Sequence, residues 1–138
     1  MNTHFPEIRG NFGFGMMRLP MIGEDVDMET TQKMVDAFLA AGFNYFDTAH
    51  PYIQGKSEDA VKQCLAQRYS RDSFLLANKL SDTFFTTREE IRPLVESQLE
   101  KCGVDFFDYY LIHNLNTHYY EVAERLGAFD FVLNKKKE

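Results

Sequence analysis

Three ionisable side chains stand where apolar segments of the sequence end. Asp47, Lys79 and His113 each follow a short apolar run, and Tyr52 comes five residues after the aspartate. An ionised carboxylate avoids apolar surroundings unless it is paired, so the aspartate should have a cation beside it. The lysine, at an equivalent strand end, can supply that cation. Carboxylate, ammonium, imidazole and phenol are groups that can transfer protons, and their placement predicts a catalytic constellation.

Four apolar strands that alternate with helices must position these residues. The predicted strands are Phe12–Leu19, Phe43–Asp47, Ser73–Lys79 and Phe106–His113. Helices are predicted over residues 27–41, 57–69, 87–103 and 128–137, with one or two further turns at 119–126. Repeated strand–helix order implies a parallel sheet with right-handed crossovers. Residues 1–11 are interpreted as a polar leader with room for a short hairpin.

Capping residues predict where the helices begin and end. Asp27 is a suitable N-cap for the first helix, and Gly42 is a suitable residue to end it. Ser57 is expected to cap the second helix. Thr87 and Glu90 have the spacing of a capping box at the start of the third.

The third helix contains one conflict, because Pro93 falls inside its predicted range. Proline in a helix interior costs about 3 kcal/mol relative to alanine, so a bend or a later start is expected. Helical spacing also predicts the inward faces. These are Thr31, Met34, Val35, Phe38 and Leu39 on the first helix, Val61, Cys64 and Leu65 on the second, Ile91, Leu94, Val95 and Leu99 on the third, and Phe129, Val132 and Leu133 on the last.

The strand ends carry motifs that read FDTAHPY, LLANKL and DYYLIHN, in this order. Together they resemble the aldo/keto reductase superfamily. The resemblance implies an NADP(H)-dependent carbonyl reductase on a (β/α)8 barrel, with a catalytic tetrad at Asp47, Tyr52, Lys79 and His113. Tyr52 would then be the general acid, since a neighbouring ammonium favours its phenolate. Asp47 would hold Lys79 in place, and His113 would orient or polarise the carbonyl group.

The chain is shorter than the family fold. A (β/α)8 barrel needs about 250 residues, whereas this sequence has 138. The expected fold class is therefore α/β, a parallel (β/α)4 half of a TIM-type barrel, in a single domain of residues 1–138. The resemblance places Met16, Met17, Arg18 and Asp47 at the NADP(H) site. Most of the family's cofactor contacts come from the later strands, so NADP(H) binding is expected to be weak.

The motif details GMMRLP, FDTAHPYIQGKSE and YYLIHN are most similar to a bacterial branch whose members can carry a C-terminal iron–sulfur domain. The two cysteines, Cys64 and Cys102, lie far apart without a CxxC motif. They indicate neither a cluster, a zinc site nor a disulfide. We therefore predict no metal site and two buried free thiols, which suit a cytoplasmic location.

Charge and hydropathy narrow the range of partners. A net charge of −6 and a pI near 5.2 argue against nucleic acid, which favours basic surfaces. The sequence has no apolar run of the roughly 20 residues that a membrane helix needs. A small carbonyl substrate is the expected partner. A half-barrel with open sheet edges also predicts a homodimer.

Other readings of the same residues remain open. The segment Gly13-Phe14-Gly15 is not a dinucleotide fingerprint, because the third glycine of GxGxxG would fall at Arg18. Each tetrad residue also has a purely structural interpretation, such as a turn aspartate or a packed tyrosine. An alternative function is a catalytically inactive half-barrel that self-associates. A third is a non-enzymatic binding subunit, which the intact tetrad argues against.

Overall fold

The computed structural model describes residues 4–136, in which strands and helices alternate as predicted. In chain order the elements are β1 (Gly13–Gly15), β2 (Met21–Ile22), β3 (Asp25–Val26), α1 (Met28–Ala40), β4 (Tyr45–Asp47), α2 (Lys56–Val61), β5 (Leu75–Leu80), α3 (Ile91–Cys102), β6 (Tyr109–Ile112), α4 (Thr117–Arg125) and α5 (Ala128–Lys135). A π-helical segment, Lys62–Ala66, continues α2.

One parallel sheet carries the fold. Its strand order is β1-β4-β5-β6, and each neighbouring pair is parallel. The predicted α/β class and the parallel four-stranded arrangement are confirmed. Strands β1 and β6 form the two edges of this sheet. All four strands therefore point their carboxyl ends to one side, where enzymes of this architecture place their active residues.

The first strand is much shorter than predicted. We expected a strand over Phe12–Leu19, but β1 stops at Gly15 and the chain turns away. The backbone carbonyl of Met16 accepts a hydrogen bond from the Ser57 hydroxyl at 2.8 Å, which holds the chain at this turn. The antiparallel pair of β2 and β3 follows it. The short hairpin expected in the leader is absent from residues 4–11, and the hairpin lies at residues 21–26 instead.

The first helix begins and ends as predicted. The Asp27 carboxylate accepts a hydrogen bond from the Thr30 amide at 3.0 Å, which makes it the N-cap of α1. Gly42 follows the end of this helix with a φ of +91°, a left-handed conformation that favours glycine. Of the predicted inward residues, Thr31, Val35 and Phe38 are buried and Leu39 is half-buried, but Met34 is exposed.

Neither of the two other predicted caps begins its helix. Helix α2 begins at Lys56 after a left-handed Gly55, and the Ser57 side chain is used in the core rather than as a cap. Glu90 accepts hydrogen bonds from the Thr86 and Thr87 amides, but α3 begins only after it, at Ile91.

The late start of α3 resolves the conflict at Pro93. The helix begins at Ile91, so the proline lies in its first turn, where a missing amide hydrogen breaks no intrahelical hydrogen bond. Of the two expected alternatives, a bend or a later helix start, the later start is confirmed. The inward residues of α3 are also as predicted, with Ile91, Leu94 and Val95 buried and Leu99 half-buried.

Two buried clusters hold the helices on one face of the sheet. The larger one includes Phe46 of β4, Leu76 of β5 and the predicted inward residues Val61, Cys64 and Leu65, all fully buried. The smaller one joins Leu80 and residues of α3 to α4 and α5. In α5 the prediction was partly wrong, because Leu133 is 60% exposed, whereas Phe129 and Val132 contact this cluster.

The opposite face of the sheet corresponds to the inside of a barrel. Successive side chains of a strand point to opposite sides of the sheet, so the residues next to Phe46 and Leu76 in the sequence line this inner face. It carries Tyr45 and Tyr109, whose ring centroids lie 5.6 Å apart, and Leu111, which is 43% exposed.

Part of the predicted leader lies against this inner face. The Phe5 ring contacts the edge of Tyr109 at a centroid distance of 5.8 Å. The Tyr109 hydroxyl donates a hydrogen bond to the Glu7 carboxylate. Asn44 fixes the same segment, since its amide donates to the Glu7 carbonyl at 3.1 Å and accepts from the Arg9 amide at 2.8 Å.

Candidate active site

Asp47 and Lys79 form an ion pair on the inner face of the sheet. The Lys79 Nζ lies 2.6 Å from Asp47 Oδ1, and it also donates to the Thr48 carbonyl at 2.7 Å. Neighbouring parallel strands bring these residues together, because Asp47 ends β4 and Lys79 lies next to the end of β5. The lysine is only 8% exposed, and a buried ammonium needs such acceptors. The cation expected beside the aspartate is present.

Tyr52 reaches this pair from the turn after β4. Ile53 and Gln54, directly after it, have φ angles of 50° and 55°, a left-handed conformation that costs free energy for residues other than glycine. The turn places the Tyr52 ring so that its centroid lies 4.7 Å from Lys79 Nζ. The ammonium therefore faces the ring, at a distance typical of a cation–π contact.

His113 completes the cluster from the end of β6. Its ring centroid lies 5.7 Å from that of Tyr52, in an edge-to-face arrangement. Its Nδ1 lies 2.7 Å from the Ser81 hydroxyl oxygen. Burial, and then the Lys79 ammonium, lower the pKa of His113 below its ordinary value, against a smaller opposing effect of nearby carboxylates. The imidazole is therefore neutral at pH 7.

An open pocket of about 470 Å³ lies at this edge of the sheet. Tyr52 and His113 line it, together with Met17, Ser81 and Tyr119. Its volume is in the range of about 300–1,000 Å³ that small-molecule sites occupy. A ligand in this pocket would meet the phenol and the imidazole directly, with the Lys79–Asp47 pair behind them.

The residues that were expected to contact the cofactor differ in their exposure to solvent. The Met16 side chain is fully buried in the core, so that residue can offer a ligand only its backbone. Met17 is 53% exposed and lines the pocket. Arg18 is exposed on the same loop. Asp47 is bound to Lys79 and is half-buried.

A buried polar cluster behind the site was not predicted from the sequence. Its centre is Glu58 of α2, which is fully buried. One carboxylate oxygen lies 2.8 Å from His50 Nδ1, in the turn that carries Tyr52, and 3.8 Å from the Lys101 ammonium. The other oxygen accepts a hydrogen bond from the Asn78 amide at 3.0 Å.

The same cluster fixes the backbone of Lys79 on both sides. The Asn78 side-chain oxygen accepts from the Lys79 amide at 2.8 Å. The Gln98 side-chain amide of α3 donates to the Lys79 carbonyl at 2.9 Å. Glu58 therefore connects the turn of Tyr52 to the strand of Lys79. The only sequence signal for this buried cluster is a glutamate at an inward position of a helix, and this signal is weak.

A profile of the aldo/keto reductase family matches residues 11–134. The chain belongs to the aldo/keto reductase family. The matched range includes every residue of the cluster formed by Asp47, Tyr52, Lys79 and His113. The motifs at the three strand ends thus indicated the family correctly.

Individual relatives agree with this assignment. Norsolorinic acid reductase of Aspergillus flavus is 30% identical over 121 residues, which cover 78% of this chain and 31% of that protein. Human aldo-keto reductase family 1 member C3 is 30% identical over 107 residues, which cover 74% of this chain and 31% of that protein. The chain thus spans about a third of the length of these relatives.

Solved structures show the same relation. An aldo-keto reductase of Klebsiella pneumoniae in complex with NADPH superimposes with a TM-score of 0.62 at 25% identity, covering 84% of this chain and 40% of that one. The holo form of an aldo-keto reductase from Bacillus halodurans gives a TM-score of 0.64 at 28% identity, covering 83% and 41%. The chain therefore shares the fold of a little under half of these aldo-keto reductase barrels.

The described residues were also compared with the requirements of a membrane-spanning helix and of a metal site. Within residues 4–136, no helix is long and apolar enough to cross a membrane. In the same residues, no group of three or more His, Cys, Asp or Glu side chains is placed to hold a metal ion.

Cys64 and Cys102 are both free and buried, as predicted. Burial raises the pKa of each thiol above its ordinary value, so neither is a reactive thiolate at neutral pH.

Proposed function

We propose that this chain carries the catalytic half of an NADP(H)-dependent carbonyl reductase, which converts aldehydes or ketones to alcohols. The observation that carries the proposal is the cluster itself. A phenol and a neutral imidazole face one open pocket, and a partly buried ion pair lies against the phenol ring. Family membership and the NADPH complex of the Klebsiella pneumoniae relative support this reading.

Each side chain has a defined part in the proposed mechanism. Tyr52 delivers its hydroxyl proton to the carbonyl oxygen of the substrate. The Lys79 ammonium, 4.7 Å from the Tyr52 ring centroid, stabilises the phenolate that remains. Asp47 keeps that ammonium in place. His113, whose ring centroid lies 5.7 Å from that of Tyr52, orients the carbonyl oxygen before the proton moves.

The nicotinamide, when bound, supplies the hydride to the carbonyl carbon. In this chain Met17 and Arg18, on the exposed loop after β1, are the residues that can contact it by their side chains. The buried Met16 can contribute only its backbone. The open pocket of about 470 Å³ beside the phenol would hold the nicotinamide end of the cofactor. The chain alone offers few contacts to the remaining nucleotide, so we expect it to bind NADPH weakly.

The proposal is tested on the complete gene product that contains this chain. Oxidation of NADPH by an aromatic aldehyde is followed by absorbance, with Tyr52→Phe beside the wild type. Loss of the general acid should lower the rate by about 10²–10⁴-fold and leave NADPH affinity nearly unchanged. Tyr120→Phe removes an exposed hydroxyl outside the pocket and is the matched control. A Tyr52→Phe enzyme within a few-fold of wild type would assign the proton to another group.

The second candidate function is that of an inactive half-barrel that associates with a second copy. Its specific support is the pair of open edges, β1 and β6, and the exposed inner residue Leu111. Titration of the 138-residue chain with NADPH, followed by nicotinamide fluorescence, separates the two. Weak but saturable binding is the result expected of the reductase half, and no binding favours the inactive half. A cytoplasmic location, which suits the free thiols, belongs to either proposal.

A further inference from the structure

Ser81 is the one side chain that hydrogen-bonds the His113 ring within residues 4–136. Its hydroxyl oxygen lies 2.7 Å from His113 Nδ1, and the serine is only 2% exposed. The residue follows β5, immediately after the strand that carries Lys79. Its backbone carbonyl accepts a hydrogen bond from the Phe84 amide at 3.1 Å, which holds the backbone of the turn that carries the serine.

The protonation of His113 leaves two possible forms of this contact. Because the pKa of His113 is lowered, the ring is neutral and one of its two nitrogens carries the proton. A serine hydroxyl has one hydrogen to donate and can also accept. Either the serine donates to a bare Nδ1, or a protonated Nδ1 donates to the serine.

Burial distinguishes these two forms. If Nδ1 donated, the serine hydrogen would need a second acceptor, and the hydroxyl makes no other hydrogen bond with the residues that the structure describes. A buried donor without an acceptor is costly. If the serine donates, its hydrogen is satisfied and Nδ1 is satisfied as well. When the serine donates, only the acceptor capacity of its hydroxyl oxygen stays unused.

We propose that Ser81 is a positioning residue that holds His113 in the tautomer with the proton on Nε2. The Nε2–H group makes no hydrogen bond with residues 4–136, and both residues line the open pocket. A carbonyl oxygen can only accept hydrogen bonds, so an Nε2–H donor suits it and a bare Nε2 does not. This consequence for the substrate rests on the proposed function, whereas the tautomer itself does not.

The tautomer is measured by two-bond ¹H–¹⁵N correlation NMR of the ¹⁵N-histidine-labelled chain, at a pH well above the ordinary histidine pKa. His113→Asn identifies the resonances of this ring. The wild type should give Nδ1 at the shift of a hydrogen-bonded bare nitrogen and Nε2 at the shift of a protonated one. In Ser81→Ala both shifts should move toward the exchange-averaged values of free imidazole.

Thr83→Val is the matched control, since it removes an exposed hydroxyl from the same pocket wall. It should leave both nitrogen shifts of His113 unchanged. A wild-type ring with the proton on Nδ1, or with averaged shifts, would overturn the proposal, and the wild-type spectrum decides this without any variant. Identical shifts in wild type and Ser81→Ala would overturn it too. If the wild type shows the predicted tautomer but does not reduce carbonyl groups, the proposed function is refuted and the proposal for Ser81 stands.

Discussion

Lys79 acts on both neighbouring rings of the site, although it is nearly buried. Its ammonium is held by Asp47 and the Thr48 carbonyl, and it faces the Tyr52 ring. The same charge lies close enough to His113 to lower the pKa of that residue. One cation therefore lies against the Tyr52 ring and disfavours a charged His113. Both contacts suit the proposed reaction, in which Tyr52 donates a proton and His113 holds a carbonyl oxygen.

Replacement of the cation should be visible at His113. Lys79→Met removes the repulsion between ammonium and imidazolium and leaves the Asp47 carboxylate unpaired, and both changes raise the pKa of His113. Titration of the ring by NMR should therefore show a midpoint at higher pH than in the wild type. Lys101→Met, which removes an ammonium beside Glu58 instead, is the control. An unchanged or lower midpoint in Lys79→Met would show that burial alone sets this pKa.

Three residues of the cluster could be found from the sequence because each one ends or follows an apolar run, whereas Tyr52 was identified by its spacing after Asp47 and by the family motif. Strand ends meet at one edge of a parallel sheet, so local patterns were sufficient for Asp47, Lys79 and His113. Ser81 gave no such signal, because a serine after a strand is an ordinary turn residue. Its contact with His113 joins residues 32 positions apart in the chain, and only the register of β5 against β6 brings them together.

At the scale of elements, α2 and α3 hold the site from behind through buried polar side chains. Glu58 of α2 joins His50 to Asn78, and Gln98 of α3 binds the Lys79 carbonyl. Ser57, which the sequence suggested as the cap of α2, instead donates its hydroxyl hydrogen to the Met16 carbonyl. A local capping pattern was outweighed by a buried acceptor, the Met16 carbonyl, that only the fold supplies.

Loss of Glu58 should destabilise the protein strongly. Glu58→Ala leaves the His50 and Asn78 donors without their acceptor and creates a cavity, which together should lower the free energy of unfolding by about 3 kcal/mol. Glu96→Ala, at an exposed position of α3, should change it by less than about 0.5 kcal/mol. Urea unfolding measures both. Equal stability of the two variants would mean that the buried cluster is not needed to hold the elements together.

At the scale of the whole molecule, the sheet has four strands and two open edges. Strand edges offer unpaired amides and carbonyls to another chain. The sequence predicted the open sheet, because its length was about half of what a closed barrel needs. It did not predict that residues 5–9 would lie against the inner face, since those contacts come from a segment without periodicity. This segment covers Tyr109, but Leu111 stays 43% exposed.

We predict that two copies pair through these edges and the inner face. A two-fold axis along the barrel direction would place β1 of each copy beside β6 of the other, as in the isologous interfaces of most dimers. Light scattering after size exclusion, over a dilution series, should then give about twice the chain mass of 16.1 kDa. Leu111→Lys should favour the monomer, whereas Leu133→Lys, at an exposed position of α5, should not. A wild-type monomer at all concentrations would contradict the pairing.

We propose that the cluster of Tyr52, Lys79, Asp47 and His113 reduces a carbonyl group with a hydride from a nicotinamide. The most direct measurement follows the hydride itself. The complete gene product is incubated with NADPH that carries two deuterium atoms at C4 of the nicotinamide and with an aromatic aldehyde, and the alcohol is analysed by mass spectrometry. The alcohol should carry one deuterium on its carbinol carbon, and almost none of it should form with Tyr52→Phe. An alcohol without deuterium, or equal amounts of labelled product from both proteins, would exclude this reaction at the cluster.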